Sequence, residues 1–253
     1  YDCTDGLPID KSPLYNPAKP FENRDPRLGQ TIALPGSIYF GYQFETHKDS
    51  VKCWNYKVTP PVRVANLDAT HTYASFSGYA WRKYADPTET DATKSDINMI
   101  VLRYAEVLLN YAEAKIEANA LDQTIYTALN KVRTRAGMPA IATGKTQTEL
   151  RSIVRKERKA ELAGEGLRYY DILRWRIAEQ VLNGNCYGRI PRGYLASAPA
   201  IDSNGTPDYS KVSNASAMRV IQTRIFDKSK NYLWPIPAIE LQTNPNLEQN
   251  PGY

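Results

Sequence analysis

Three glutamates carry the densest chemistry in this chain. Glu157, Glu161 and Glu165 recur every fourth residue, which sets them in a row on one face of a helix. The row continues the apolar stripe of Leu150, Ile153 and Val154, so it faces inward. Paired carboxylates of this kind serve as the acid and base of a glycoside hydrolase when one of them keeps a raised pKa. The neighbours argue against that use. Arg158 sits inside the row, and Arg168, Asp171 and Arg174 follow beyond a turn bounded by Gly164 and Gly166. Guanidinium groups favour ionised carboxylates and push both values down. Inward charge is also costly unless paired. The expectation is a structural ion network of Glu157, Arg158, Glu161, Glu165, Arg168, Asp171 and Arg174, with no catalytic residue.

Other reactive patterns do not appear. There is no Gly-x-Gly-x-x-Gly, Walker loop, Gly-x-Ser-x-Gly or His-Glu-x-x-His. His47 and His71 are the only histidines, and neither has a second ligand-type cluster near it in sequence. Cys3, Cys53 and Cys186 lack metal-ligand spacing; at least one is unpaired within the chain, and no spacing supports a Cys3–Cys53 disulfide. No metal and no cofactor is expected. What remains is a binder. Sugar rings stack their apolar faces on flat aromatic side chains, and their hydroxyls need polar company. Trp54, Tyr56, Tyr39 and Tyr42, with Asn55 beside them, are therefore the candidate ligand-binding residues. The competing reading packs these aromatics onto the helices as core.

The elements that position these groups follow from proline. Nine of the 17 prolines lie in residues 1–95, seven in 183–253, and only Pro139 lies between. Helices exclude interior proline, so residues 96–182 form a helical part between loop-rich flanks. The first helix begins at Ser95 as N-cap and carries Ile97, Ile100, Val101, Tyr104, Ala105, Leu108, Ala112 and Ile116 as a stripe. A second runs from Asp122 to Ala136 and stops at Gly137. A third covers Thr148 to Ala163 and a fourth Tyr169 to Leu182. The first two form an antiparallel pair of the tetratricopeptide kind, which must stack on neighbours. Segments 37–44 and 51–58 are small strands or loops. Residues 183–230 make a long excursion without strong periodicity, and residues 231–253 a docked tail. In that tail a strand ends near Trp234, and a short helix runs from Ala238 to Gln242 after Pro237.

Composition sets the bounds. The 253 residues can bury one sizeable core, and a charged fraction of 23% is ordinary for a globular protein. The net charge of +5 comes from Lys and Arg interleaved with Glu and Asp, so the basic face that nucleic acid needs is missing. Eighteen Tyr against five Phe favour half-wet binding faces. The chain opens on Tyr1-Asp-Cys-Thr without Met or a hydrophobic leader, which reads as a fragment.

The chain resembles the SusD/RagB-like family in four ordered motifs. The tail reads Trp234-Pro-Ile-Pro237, Glu240-Leu241, Asn244-Pro-Asn-Leu247 and Gln249-Asn-Pro-Gly-Tyr253. The charged row reads Arg158, Glu161, Leu162, Glu165, Gly166, Arg168, Asp171, Arg174 and Trp175. Residues 104–114 and 130–137 supply the other two. The resemblance implies a mainly α fold with tetratricopeptide-like helix pairs, long irregular loops and a small β-hairpin. It implies the C-terminal half of a longer protein, with the N-terminal half and its lipid anchor absent from this chain. It also implies a lipoprotein on the extracellular face of the Bacteroidetes outer membrane. Such a protein captures an oligosaccharide, or in some members a peptide, and passes it to a SusC-like TonB-dependent transporter. The rivals are a glycoside hydrolase using Glu157, Glu161 or Glu165, and a protein-interaction scaffold without a small ligand.

Overall fold

The computed structural model describes residues 1–86 and 96–253. The first part holds short elements in long loops: α1 (Arg27–Thr31), β1 (Ile32–Ala33), β2 (Ile38–Tyr39), β3 (Tyr42–Gln43), β4 (Lys52–Asn55), β5 (Val62–Ala65), α2 (Leu67–Thr70) and β6 (Ala80–Trp81). The middle is helical: α3 (Tyr104–Glu117), α4 (Gln123–Arg135), α5 (Gln147–Glu161), α6 (Leu167–Arg174) and α7 (Ala178–Val181). The last part carries β7 (Gly184–Tyr187), β8 (Ala200–Ile201), β9 (Pro207–Asp208), β10 (Val220–Arg224) and α8 (Ala238–Thr243). Strands β2 to β5 form one antiparallel sheet in chain order, while β1/β6, β7/β10 and β8/β9 are separate two-stranded pairs.

The core lies between α3, α4 and α5. Leu109, Ala112 and Ile116 from α3 meet Ile125, Leu129 and Val132 from α4, and Leu150 and Val154 from α5 close the layer. These positions follow the 3.6-residue period, so each helix buries one stripe and leaves the opposite face wet. Asp122 caps α4 by accepting from the Thr124 N–H, and Gly137 ends it in the left-handed region at φ +77°. Thr146 and Glu149 form a capping box at the start of α5, one turn before the first core residue.

Several expectations are corrected. Ser95 lies outside the described residues, and the first helix starts at Tyr104 rather than upstream. Residues 96–103 are non-helical, and Ile100 and Val101 of the expected stripe are 39% and 94% exposed while Ile97 is half-buried. Arg103 is extended (φ −141°, ψ 160°), a conformation that carries its guanidinium to α5 and cannot continue a helix. The fourth helix breaks in two at Arg176, which adopts φ +54° and stacks on Tyr232 at 4.4 Å. The long excursion is tied down by the β7/β10 pair. Among the described residues no strand ends near Trp234; β10 already ends at Arg224. The three cysteines are free, and Cys3 and Cys53 are buried apart from any bridge.

The tail is shaped chiefly by bonds to itself. Gln249 accepts from the Ile236 N–H at 2.8 Å and donates to the Ile236 carbonyl at 3.0 Å. Asn250 Nδ2 donates to the Trp234 carbonyl at 2.6 Å. The body grips this tail through Tyr232, whose ring packs on Phe226 and whose hydroxyl bonds Glu179. Leu233, Trp234 and Ile239 stay exposed, contrary to a fully docked terminus.

Buried charge joins the loop-rich part to the helices. Arg27 Nη1 donates to Glu157 Oε1 at 2.6 Å and to Glu161 Oε2 at 2.9 Å, while its other nitrogens bind Asp25. Arg103 donates to Glu161 and Glu165 at 2.5–2.8 Å, Arg135 to Glu161 and Arg133 to Glu157. Lys83 completes the Glu165 shell at 2.5 Å. A second group lies alongside. Arg158 is bidentate to Asp171, and Arg174 is bidentate to Glu113, which also accepts from the Trp175 indole. Arg168 makes no ion pair among the described residues; it lies over the Trp175 ring at 5.6 Å. Burial works to raise Glu161 and Glu165, but hydrogen bonds from Arg103, Arg27 and Lys83 outweigh it and hold both below the ordinary glutamate value.

Three outcomes follow for stability. Glu161→Gln leaves three guanidiniums short of charge and costs about 3 kcal/mol in a urea melt at pH 7; an unchanged midpoint would remove the network from its structural role. The folded carboxyls of Glu161 and Glu165 titrate below the unfolded value near 4.5, so their stabilisation is present above that pH and is lost as pH falls through the folded values. The melting temperature therefore drops on acidification below about pH 4.5, and less steeply in Glu161→Gln. Separately, Thr146→Ala removes the α5 cap and costs about 1 kcal/mol in the same melt.

Candidate functional site

Four of the five aromatic-segment candidates lie in one small sheet, with Tyr56 just past its β4 strand. Tyr42 pairs with Asn55, and Trp54 pairs with Arg63 across β4/β5. Cys53 faces inward and is buried, so Trp54 takes the outer face. Tyr56 follows directly, its N–H on the Gly41 carbonyl at 2.8 Å. The ring faces are already in use. The Arg63 guanidinium lies 5.2 Å from the Trp54 centroid and Lys57 Nζ lies 5.0 Å from that of Tyr42. Tyr39 donates its hydroxyl to the Trp81 carbonyl at 2.6 Å and packs edge-on against Phe40 and Phe44. Asn55 Oδ1 accepts from the Lys57 N–H. Trp54 and Tyr56 keep 37% and 38% of their surface exposed.

None of the five lines the main concavity. That is a cleft of about 1230 Å³ between α5, the N-terminal loop and the 183–230 excursion. It exceeds the usual small-molecule pocket of about 300–1,000 Å³. Tyr15, Tyr79, Tyr187, Tyr194 and Tyr209 line it, with Phe21. Tyr187 and Tyr209 meet edge to face at 5.3 Å, and Phe21 and Tyr194 at 6.3 Å. Burial raises the Tyr79 and Tyr209 hydroxyls, the latter to about 12, so both stay protonated donors.

Cations complete the wall. Arg24, Lys156, Lys159, Arg168 and Arg189 all line the cleft. The protein around Lys159 lowers its ammonium to about 8, burial first and the Arg168 charge second, although the side chain still opens to solvent. It donates to the Gly205 carbonyl at 2.7 Å. Glu157 is the member of the glutamate row that reaches the cleft, and both its oxygens are taken by Arg27 and Arg133. No cluster of metal-ligand side chains exists among the described residues.

Sequence reasoning did not find this cleft. The excess of tyrosine was its only trace. Tyr15, Tyr79 and Tyr209 are separated by more than 60 and 120 residues, too far for spacing to reveal their meeting.

Comparison with known proteins places the chain. The family model described as the SusD family matches residues 1–253. A SusD-like protein P2 of Formosa agariphila is 30% identical over 218 residues, covering 76% of this chain and 37% of that protein. A solved SusD-like carbohydrate-binding protein from Bacteroides fragilis superposes with a TM-score of 0.75 at 33% identity, covering 98% of this chain and 46% of that one. A second SusD-like structure from the same organism gives 0.67 at 26% identity. The chain thus spans less than half the length of these relatives. With the helical core, the charged row and the tail all accounted for over its whole length, this chain belongs to the SusD family.

Proposed function

We propose that the chain is part of a non-catalytic receptor that captures oligosaccharides and hands them to a SusC-like TonB-dependent transporter. The receptor sits on the extracellular face of the outer membrane as a lipoprotein. The observation that carries this reading is the tyrosine-walled cleft of about 1230 Å³. Tyr rings offer faces for sugar rings while their hydroxyls and the neighbouring cations offer donors. The B. fragilis relative, a SusD-like carbohydrate-binding protein, supports the ligand class.

Hydrolysis is the weaker reading on physical grounds. A general acid needs a raised carboxyl, whereas Glu161 and Glu165 are held low and Glu157 is fully engaged by guanidiniums. Outside the cleft, the sheet carrying Tyr39, Tyr42, Trp54, Asn55 and Tyr56 is proposed as a secondary contact, with Trp54 and Tyr56 touching the glycan. The α3/α4 hairpin is read as a tetratricopeptide-like pair. Tyr104, Val107 and Tyr111 are exposed on α3, where further helices of a longer protein would stack.

An affinity-gel screen over neutral and acidic polysaccharides tests this. Retention without release of shorter products is expected. Tyr209→Ala weakens it by at least about tenfold, and Trp54→Ala or Tyr56→Ala by only a few-fold. Product release would restore the hydrolase. Failure to retain any polysaccharide would favour a peptide ligand or a scaffold.

A further inference from the structure

Arg189 is a buried cation whose best donor edge is unused. Its side chain is 5% exposed. Nη1 donates to Glu45 Oε1 at 3.0 Å and to Thr46 Oγ1 at 2.9 Å. Neither of those residues lines the cleft, whereas Arg189 does. Nε and Nη2, the parallel donors on the other edge, have no protein partner among the described residues. That edge is the one that grips a planar carboxylate with two parallel bonds. A buried charged donor left unmet is expensive, so an empty fork of this kind points to a ligand.

The backbone is built around this side chain. The Arg189 N–H donates to the Ser77 carbonyl at 2.9 Å. Gly78 sits at φ +75°, and a Cβ there would lie 2.4 Å from Arg189 Cγ. At Gly188 a Cβ would lie 2.5 Å from the Ser77 carbonyl oxygen. Two glycines therefore make the room that brings the guanidinium to the cleft wall. The Tyr194 ring covers it at 5.5 Å and is itself 37% exposed, so a ligand reaches the fork by turning that ring outward while Glu45 and Thr46 hold the arginine.

The charge of the cleft agrees. Arg24, Lys156, Lys159 and Arg168 line it and form no ion pair among the described residues. Of the carboxylates on the wall, Asp25 and Glu157 are neutralised by arginines and Glu149 by Lys145, while Asp2 and Asp5 form no ion pair among the described residues, two against the four unpaired cations. The surplus is positive, which draws anions.

We propose that the Nε–Nη2 edge of Arg189 is a carboxylate subsite, and that the ligand of the cleft is an acidic oligosaccharide built from uronic-acid units. This rests on the reading of the cleft as the glycan site and names its substrate class. The tyrosine faces take the sugar rings and the fork takes the carboxylate. A neutral hydroxyl in that place would satisfy one donor and leave the other bare.

The test is calorimetric titration with uronate oligosaccharides, each beside its carboxyl-reduced counterpart of the same linkage. The unmodified protein binds an acidic form at least about tenfold more tightly than the reduced form. Arg189→Lys keeps the charge but lacks the fork; it erases that preference while retaining affinity for the reduced form. Because the acid-versus-reduced comparison uses the unmodified protein, a folding defect in the variant does not blunt it. Equal affinity for acid and reduced forms would overturn the Arg189 subsite and leave the cleft reading intact. Absence of binding to every saccharide, acidic and neutral, would overturn the cleft reading itself. Binding only of peptides with a free C-terminal carboxylate would overturn the ligand class.

Discussion

Everything in this molecule hangs on placing three carboxylates inside it and then satisfying them. Glu161 accepts from Arg27, Arg103 and Arg135, which come from three different stretches of chain. The start of α1, the entry to α3 and the end of α4 thus converge on the last turn of α5. Desolvating such a carboxylate is costly, and only this convergence offsets it. The interaction therefore specifies where the loops go more than it adds net stability. With α1 anchored by Arg27, the N-terminal loop forms one wall of the cleft. With Lys83 and Arg103 held at Glu165, the chain on either side of the undescribed stretch 87–95 is brought back to the same turn.

How much of this was legible in the sequence depends on the range of the interaction. Local patterns were readable. Apolar stripes placed α4 and α5 within a residue or two, and Ala238 began the last helix as proline chemistry requires. The row of glutamates and the nearby arginines announced buried pairing, because their spacing alone turned them inward. Tertiary demands were not readable. Arg103 falls inside the span read as the first helix, yet its reach to Glu161 and Glu165 holds it extended. Arg176 breaks a helix because Trp175 is bound to Glu113 on one side and Tyr232 lies under Arg176 on the other. Arg168, one motif position among several, turned to a ring in place of a carboxylate.

The candidate cleft was legible in the sequence only as an excess of tyrosine. A protein with far more Tyr than Phe was expected to expose ring faces with polar tips, and it does. The rings picked from sequence were near neighbours along the chain, and the fold spends two of their faces on Arg63 and Lys57. The rings that line the cleft come from distant loops gathered around Arg189 and α5. Loops carry such sites because their backbones are free to deliver side chains from several directions onto one rigid helix.

Trp175 has a use beyond packing. Its indole is hydrogen-bonded to Glu113, and three guanidiniums surround its ring, those of Arg155, Arg174 and Arg168, at 4.7, 5.0 and 5.6 Å. The other tryptophans, Trp54, Trp81 and Trp234, are more than a third exposed. The chain thus holds one half-buried indole in a strongly polarising field and three more exposed to water. Its intrinsic emission is a built-in optical gauge of the charged lattice, with Trp175 changing colour as the guanidiniums leave and the other three registering the solvent throughout.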